Sequence, residues 1–316
     1  MTQRPAVVLL GDVMVDLVAR LEGPLAHGSD SPARITAHGG GAAANTASWL
    51  VEAGAQAVLL GRVGQDAAGR AIEADLRQAG VEVRFTADPE LATGMVLVLV
   101  DPDGERTMVP DPGANASLRA EHLPTDVFRQ GAHLHLSGYT LLKPQSREAG
   151  LAALHLARGA GMTVSVDAAS AGPLTSVGPR RFLDWIKGAD LLFANKDEAL
   201  LLAGVADPPH AAARILAASV GTAVVKLGAE GALAQGPDGG FAETGPVAGT
   251  SDGALARLET TGAGDAFAAG FLAVWLAATP LSQALAAGSA LAAEAVRMTG
   301  ARPNRNRTSL VKNIYM

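Results

Sequence analysis

Short apolar runs recur along the chain at 6–12 (AVVLLGD), 57–64 (AVLLGRVG), 133–138 (HLHLSG), 163–168 (TVSVDA), 191–195 (LLFAN) and 222–228 (TAVVKLG). Several are apolar at nearly every position, the pattern of strands covered on both faces rather than one. Between them apolar residues fall at helical spacing, for example over 43–53, 67–78 and 147–158, and each stretch meets a glycine within one or two residues as a helix stop. Strands alternating with helices predict crossover units and a mostly parallel sheet. Two regions break the rhythm. Residues 13–38 and 92–112 read as strand, turn, strand, with Asp101-Pro102-Asp103-Gly104 as a turn signal, and predict a small antiparallel sheet apart from the main one. No internal repeat, low-complexity linker or charge run marks a second independent domain.

Composition changes the picture only by exclusion. The 316 residues are 48% hydrophobic and 18% charged, enough to bury a substantial core. The formal net charge of −6 is dispersed and aromatics make up 4%, so there is neither a basic face nor a stacking array, and nucleic acid is not an expected partner. The absence of cysteine excludes disulfides, thiolate nucleophiles and cysteine zinc sites, and permits a reducing compartment. The apolar run that ends at Gly11-Asp12 is too short for a signal-peptide core. The longest apolar run, 266–278, has thirteen residues where a membrane span needs about 20, and predicts a buried helix. The expectation is a cytoplasmic protein with no membrane partner.

Candidate chemistry begins at 259–271 (ETTGAGDAFAAGF). A helix N-terminus leaves its first N–H groups unpaired and carries about half a positive charge, so a Gly-Ala-Gly mouth opens bare donors to an anion. Asp265, in the first turn, can act beside that anion as a general base. Equally, it can serve only the helix dipole, with Thr260 or Thr261 as cap. A second cluster, 38–50 (HGGGAAANTASWL), follows a predicted strand and opens a helix. Gly39-x-Gly41-x-x-Ala44 meets the relaxed dinucleotide fingerprint, with Arg62 about 20 residues on, which keeps a nicotinamide-dependent oxidoreductase open. Against it, the first strand ends at Gly11-Asp12 without a glycine loop. Asn45 offers an amide suited to a polyhydroxylated substrate, while close helix packing is the plainer use of its small neighbours. A P-loop is absent. Asn195-Lys196-Asp197-Glu198 reads as a capping box, or as Glu198 supporting a magnesium ion through water. His133 and His135 face one side of a strand, a spacing that suits a metal but lacks an evident third ligand.

In order and spacing these pieces resemble the ribokinase-like (PfkB) family of carbohydrate and nucleoside kinases over nearly the whole chain. The likeness runs through Gly11-Asp12 and Asp16, then Gly40-Gly41-x-Ala43-Ala44-Asn45-x-Ala47, then Gly61-x-Val63-Gly64-x-Asp66-x-x-Gly69. Thr93-Gly94 and the hairpin after it are similar to the family's lid. Asn195-x-x-Glu198, Lys226-Leu227-Gly228-x-x-Gly231 and the run from Thr260 to Phe267 complete it. The resemblance implies a three-layer α/β/α ribokinase-like fold, one kinase domain over 1–316 with lid segments at about 13–38 and 92–112.

It also implies an ATP-dependent kinase that transfers the γ-phosphoryl group to a hydroxyl of a sugar or sugar-like substrate. Asp265 then takes the proton, and backbone N–H groups of Gly262, Ala263 and Gly264 form the anion hole. Asp12, Asp16, Gly40, Gly41 and Asn45 hold the substrate. ATP lies along Asn195, Lys226, Gly228, Gly231, Thr261, Gly264 and the C-terminal helices, with magnesium supported by Glu198. Glu259 and Asn304 fall where ligands of a monovalent cation, K+, are expected, Glu259 replacing the commoner Asp. Ala42 and Ala43 stand where ribokinases proper resemble Lys and Gly, and Ser137-Gly138-Tyr139 where they carry Glu, which argues against ribose itself. Tyr139 can stack on a nucleobase, so a nucleoside kinase is the alternative. Relatives often pair through the lid, making a homodimer through its exposed strands a further expectation.

Overall fold

The computed structural model describes residues 5–246, 261–298 and 300–303. Its strands, in chain order, are β1 (Val7–Leu10), β2 (Met14–Leu21), β3 (Ala33–Gly40), β4 (Ala57–Gly64), β5 (Glu82–Asp88), β6 (Gly94–Val100) and β7 (Arg106–Asp111). They continue with β8 (His133–Ser137), β9 (Thr163–Asp167), β10 (Leu191–Asn195), β11 (Thr222–Lys226), β12 (Ala232–Gln235) and β13 (Phe241–Thr244). The helices are α1 (Ala42–Glu52), α2 (Ala67–Gln78), α3 (Gly138–Leu142), α4 (Arg147–Gly159), α5 (Ala171–Val177), α6 (Pro179–Ile186), α7 (Lys196–Ala203), α8 (Pro209–Ala217), α9 (Ala263–Trp275) and α10 (Leu281–Ala295).

Among the described residues the main sheet has nine strands in the order β13-β12-β11-β10-β9-β8-β1-β4-β5, every pairing parallel except those of β12 with β11 and β13. Because successive side chains point to opposite faces, β1 divides its residues between two cores. Val7 and Leu9 pack with Trp49 and Phe271, while Val8 and Leu10 pack with Leu154 and Phe182. All four are at most 1% exposed, which is why the run is apolar without alternation. Helices α1, α9 and α10 cover one face; α4, α6, α7 and α8 cover the other. The long apolar run belongs to α9, which is buried from Ala266 to Ala273 between α1 and α10 and so is apolar all round.

The predicted small sheet is present, in the order β3-β2-β6-β7. It is not antiparallel throughout: β2 pairs parallel with β6, Asp16 opposite Val96, while β2–β3 and β6–β7 are antiparallel. Asp66 caps α2 through Gly69 N at 2.7 Å and also accepts from the backbone N and hydroxyl of Thr93, each at 2.7 Å, at the start of β6. Asn115 does the same for the other junctions, accepting from Val13 N at 3.0 Å and donating to Val13 O at 2.9 Å and Pro112 O at 3.0 Å. Among the described residues no helix is long and apolar enough to cross a membrane.

Candidate active site

In an open parallel sheet, ligands sit beyond the carboxyl ends of the strands, where the winding reverses. Here that point lies between β1 and β8. Asp12 follows β1, Ser137 ends β8 just before Tyr139, and Asp167, Asn195 and Lys226 end β9, β10 and β11. The N-termini of α1 and α9 converge over the same edge, bringing Asn45 and Asp265 together. Asn45 Nδ2 donates to Asp265 Oδ2 at 2.9 Å.

Two glycines permit this approach. Gly41, just ahead of α1, has φ 93°, and a Cβ there would run into the carbonyl of Asp12. Gly262, the N-cap of α9, has φ 81°, and a Cβ would lie 2.6 Å from Ala301 O. Left-handed backbone and close packing together leave room only for glycine. No side chain caps α9 among the described residues. The leading N–H groups of the helix therefore lack the side-chain partner that α7 has in Asn195.

The electrostatics are those of a crowded, partly dry cleft. Burial pushes the Asp265 carboxyl up to about 7; donation from Asn45 opposes this, the Asp167 carboxylate adds to it, Lys226 opposes it and Asp16 adds to it. Lys226 Nζ donates to Asp167 Oδ2 at 2.8 Å and would stand 3.2 Å from a Cβ at Gly264, so an ammonium faces the helix mouth. Burial works to discharge that lysine, but Asp167 and Glu198 outweigh it and hold it protonated. Asp167 is likewise kept ionised by Lys226 against its own burial. Asp12 is pushed up by burial, with Lys143 opposing from 4.0 Å. Asp16 lies with its carboxylate against Gly40.

The remaining candidates are distributed around this centre. Asn195 and Glu198 form the capping box in full: Asn195 Oδ1 accepts from Glu198 N at 2.9 Å, and the Glu198 oxygens accept from Asn195 N and Nδ2 at 2.8 Å each. Glu198 is 3% exposed, and burial, then Asp167, push it up. Gly228 and Gly231 bound the turn from β11 to β12, where Leu227 N donates to Gly231 O at 2.8 Å. Thr261 accepts from Arg106 Nη1 of β7 at 2.7 Å, so the small sheet touches the helix mouth. Thr260, Glu259 and Asn304 lie outside the described residues. Gly39 and Gly41 flank the exit of β3, an antiparallel strand of the small sheet rather than the first strand of the parallel one, so the dinucleotide fingerprint has no Rossmann turn beneath it. His133 and His135 are ordinary strand residues. They share hydrogen bonds with Thr163 and Ser165 at 2.7 to 2.8 Å, burial holds them neutral, and among the described residues no group of three or more ligands suits a metal.

Four residues of the site escaped the sequence reading: Asp167, Lys143, Arg106 and Arg302. Asp167 had a signal, since it closes the run TVSVD at a strand's carboxyl end. The three cations had none, being single charges in otherwise unremarkable segments.

A model of pfkB family carbohydrate kinases matches residues 4–308. The chain is 32% identical over 304 residues to an ATP-dependent ribose-1-phosphate kinase of Halopiger xanaduensis, covering 94% of this chain and 93% of that one. It is 32% identical over 276 residues to a fructokinase of Klebsiella pneumoniae, covering 84% and 82%. The crystal structure of adenosine kinase from Sinorhizobium meliloti superposes with a TM-score of 0.84 at 25% identity, covering 98% of both chains.

Proposed function

Because the chain belongs to the pfkB family of carbohydrate kinases, and is thus a sugar or nucleoside kinase with the ribokinase-like fold, we propose that Asp265 is the general base of its phosphoryl transfer. The observation that carries this is the Asn45–Asp265 hydrogen bond at the mouth of α9, a helix that no side chain caps among the described residues. A carboxyl held near neutrality suits a base at physiological pH: it is ionised often enough to accept a proton and basic enough to keep it. In this reading a substrate hydroxyl loses its proton to Asp265 as its oxygen attacks the terminal phosphorus of ATP, and the P–O bond to ADP breaks. Charge on the transferring group meets N–H donors of Gly262, Ala263 and Gly264, with Lys226 and Arg106 on either side. Such transfer depends chiefly on positioning and electrostatics.

Asp12, Asp16 and Asn45, with the backbone at Gly40 and Gly41, hold the substrate's hydroxyls. The nucleotide runs from Thr261 and Gly264 past Lys226 and Asn195 to Gly228 and Gly231. Glu198 fits a magnesium ion through water: each of its oxygens accepts from Asn195 and keeps a lone pair that can accept from a metal-bound water. When bound with ATP, such an ion would neutralise phosphate charge. A sugar is favoured over a nucleoside because the Tyr139 ring already carries Lys143 Nζ, 5.7 Å from its centroid, which a stacking base would have to displace.

The test is a panel of sugars, sugar 1-phosphates, keto-deoxy acids and nucleosides with ATP and magnesium, scored by ADP formation. One class turning over well above the ATPase background is expected, and a panel silent throughout would remove the reading. The small sheet acts as the lid of this single domain and exposes Ile35 (64%), Met108 (53%) and Val109 (53%), side chains suited to pairing two chains lid to lid. Light scattering should then give a dimer that I35E converts to monomer; a monomeric parent excludes it.

A further inference from the structure

Arg302 belongs to no motif, yet its side chain is 8% exposed and ends among the acids of the site. Its Nε donates to Asn45 Oδ1 at 3.2 Å and its Nη2 to Gly40 O at 2.6 Å. Nη1 lies against Gly39, 3.6 Å from Asp75 Oδ2. The segment carrying it is itself anchored: Trp49 Nε1 of α1 donates to Ala301 O at 2.9 Å, the same carbonyl that crowds Gly262 at the mouth of α9. Ala301 and Arg302 therefore lace α1, the last residue of β3 and the mouth of α9 together.

The consequence falls on Asn45. An amide has two orientations that differ only in which end donates. One end of Asn45 faces a guanidinium, which can only donate, and the other faces the Asp265 carboxylate, which when ionised can only accept. Flipping the amide would set NH2 against guanidinium and carbonyl against carboxylate, two repulsions in place of two hydrogen bonds. We propose that Arg302 is a positioning residue that locks the amide of Asn45 in the donating orientation, and through it sets the geometry and charge of Asp265. This rests on the reading of Asp265 as base. Among the described residues the other charged groups facing Asp265 are Asp167 from β9, Lys226 from β11 and Asp16 from β2. Arg302 adds a cation on the side of Asp16 and favours the ionised carboxylate.

The experiment follows the Asp265 carboxyl directly, by 13C NMR of Asp-labelled protein with the resonance assigned from its loss in Asp265→Asn, alongside kcat and KM. Removing the cation and the lock in Arg302→Met should raise the titration midpoint by about one pH unit and lower kcat about tenfold, with KM for ATP within about twofold. Arg302→Lys keeps the charge without the fork, and should fall between parent and Met variant in both readouts; it also answers the question should the Met variant not fold. Combining Asn45→Ala with the Met variant should cost no more than the worse single change, since both break one chain of contacts. An unmoved Asp265 titration in the folded Arg302 variants overturns the proposal, and with a raised substrate KM it makes Arg302 a substrate ligand instead. If Asp265→Asn retains near-normal turnover, the base reading falls on its own evidence, whatever the Arg302 variants show.

Discussion

Replacing Asp265 by Asn should stabilise the protein at neutral and alkaline pH, a result that a merely structural helix-capping carboxylate would not give. The carboxyl is raised from 3.8 to about 7, first by burial, so its charged form is disfavoured in the folded state. Relative to an unperturbed carboxyl, the folded protein gains from this group below about pH 4, where both states are protonated. It loses that gain as pH rises through 7. Three units correspond to about 4 kcal/mol over the full range, at about 1.4 kcal/mol per unit. The span from pH 5 to pH 8 takes in most of the window between the unfolded and folded values, and the loss across it is at most about 2 to 3 kcal/mol. Asn is nearly isosteric, carries no charge and can still accept from Asn45, so it escapes the loss.

Chemical denaturation of parent and D265N at pH 5 and pH 8 measures it. The variant's advantage should widen by about 2 kcal/mol from the lower pH to the higher, with unchanged m-values. A stability difference identical at the two pH values would refute the argument that burial strains this carboxylate, and with it the match between the site's electrostatics and base chemistry.

Two further outcomes follow from the same geometry. The acid limb of kcat/KM should fall near pH 7, with activity lost as pH drops because the base becomes protonated; a limb below about pH 5 would exclude Asp265 as the titrating group. Lys226→Met should leave partly buried Asp167 and buried Glu198 as neighbouring acids without their cation, costing about 1.5 to 3 kcal/mol of stability and raising KM for ATP. Calorimetry and nucleotide titration check both, and a Met variant of parental stability would show that the pair contributes nothing.

The six parallel strands read from the sequence all form, because strands buried on both faces announce themselves by continuous apolar runs. Strands β5, β12 and β13 were not legible: EVRFTAD is polar at exposed positions, while ALAQ and FAET are four-residue pieces at the antiparallel edge. The parallel pairing of β2 with β6 left no local trace either, since it joins segments separated by β3, α1, β4, α2 and β5. The site divides the same way. Asp265 and Asn45 sit at the starts of helices that follow short glycine-rich stretches, a composition that betrays a helix mouth. Arg302 meets Asn45 across 257 residues of chain and owes its role wholly to the tertiary fold.

The most direct measurement is the single-turnover and steady-state rate of D265N with its best acceptor, ATP and magnesium, alongside calorimetric binding of the nucleotide. Expected are intact folding, nucleotide affinity within a few-fold of the parent and turnover lowered by about 10²- to 10⁴-fold. Turnover within a few-fold of the parent would contradict the base assignment, and would return Asp265 to the role of a helix-terminal charge.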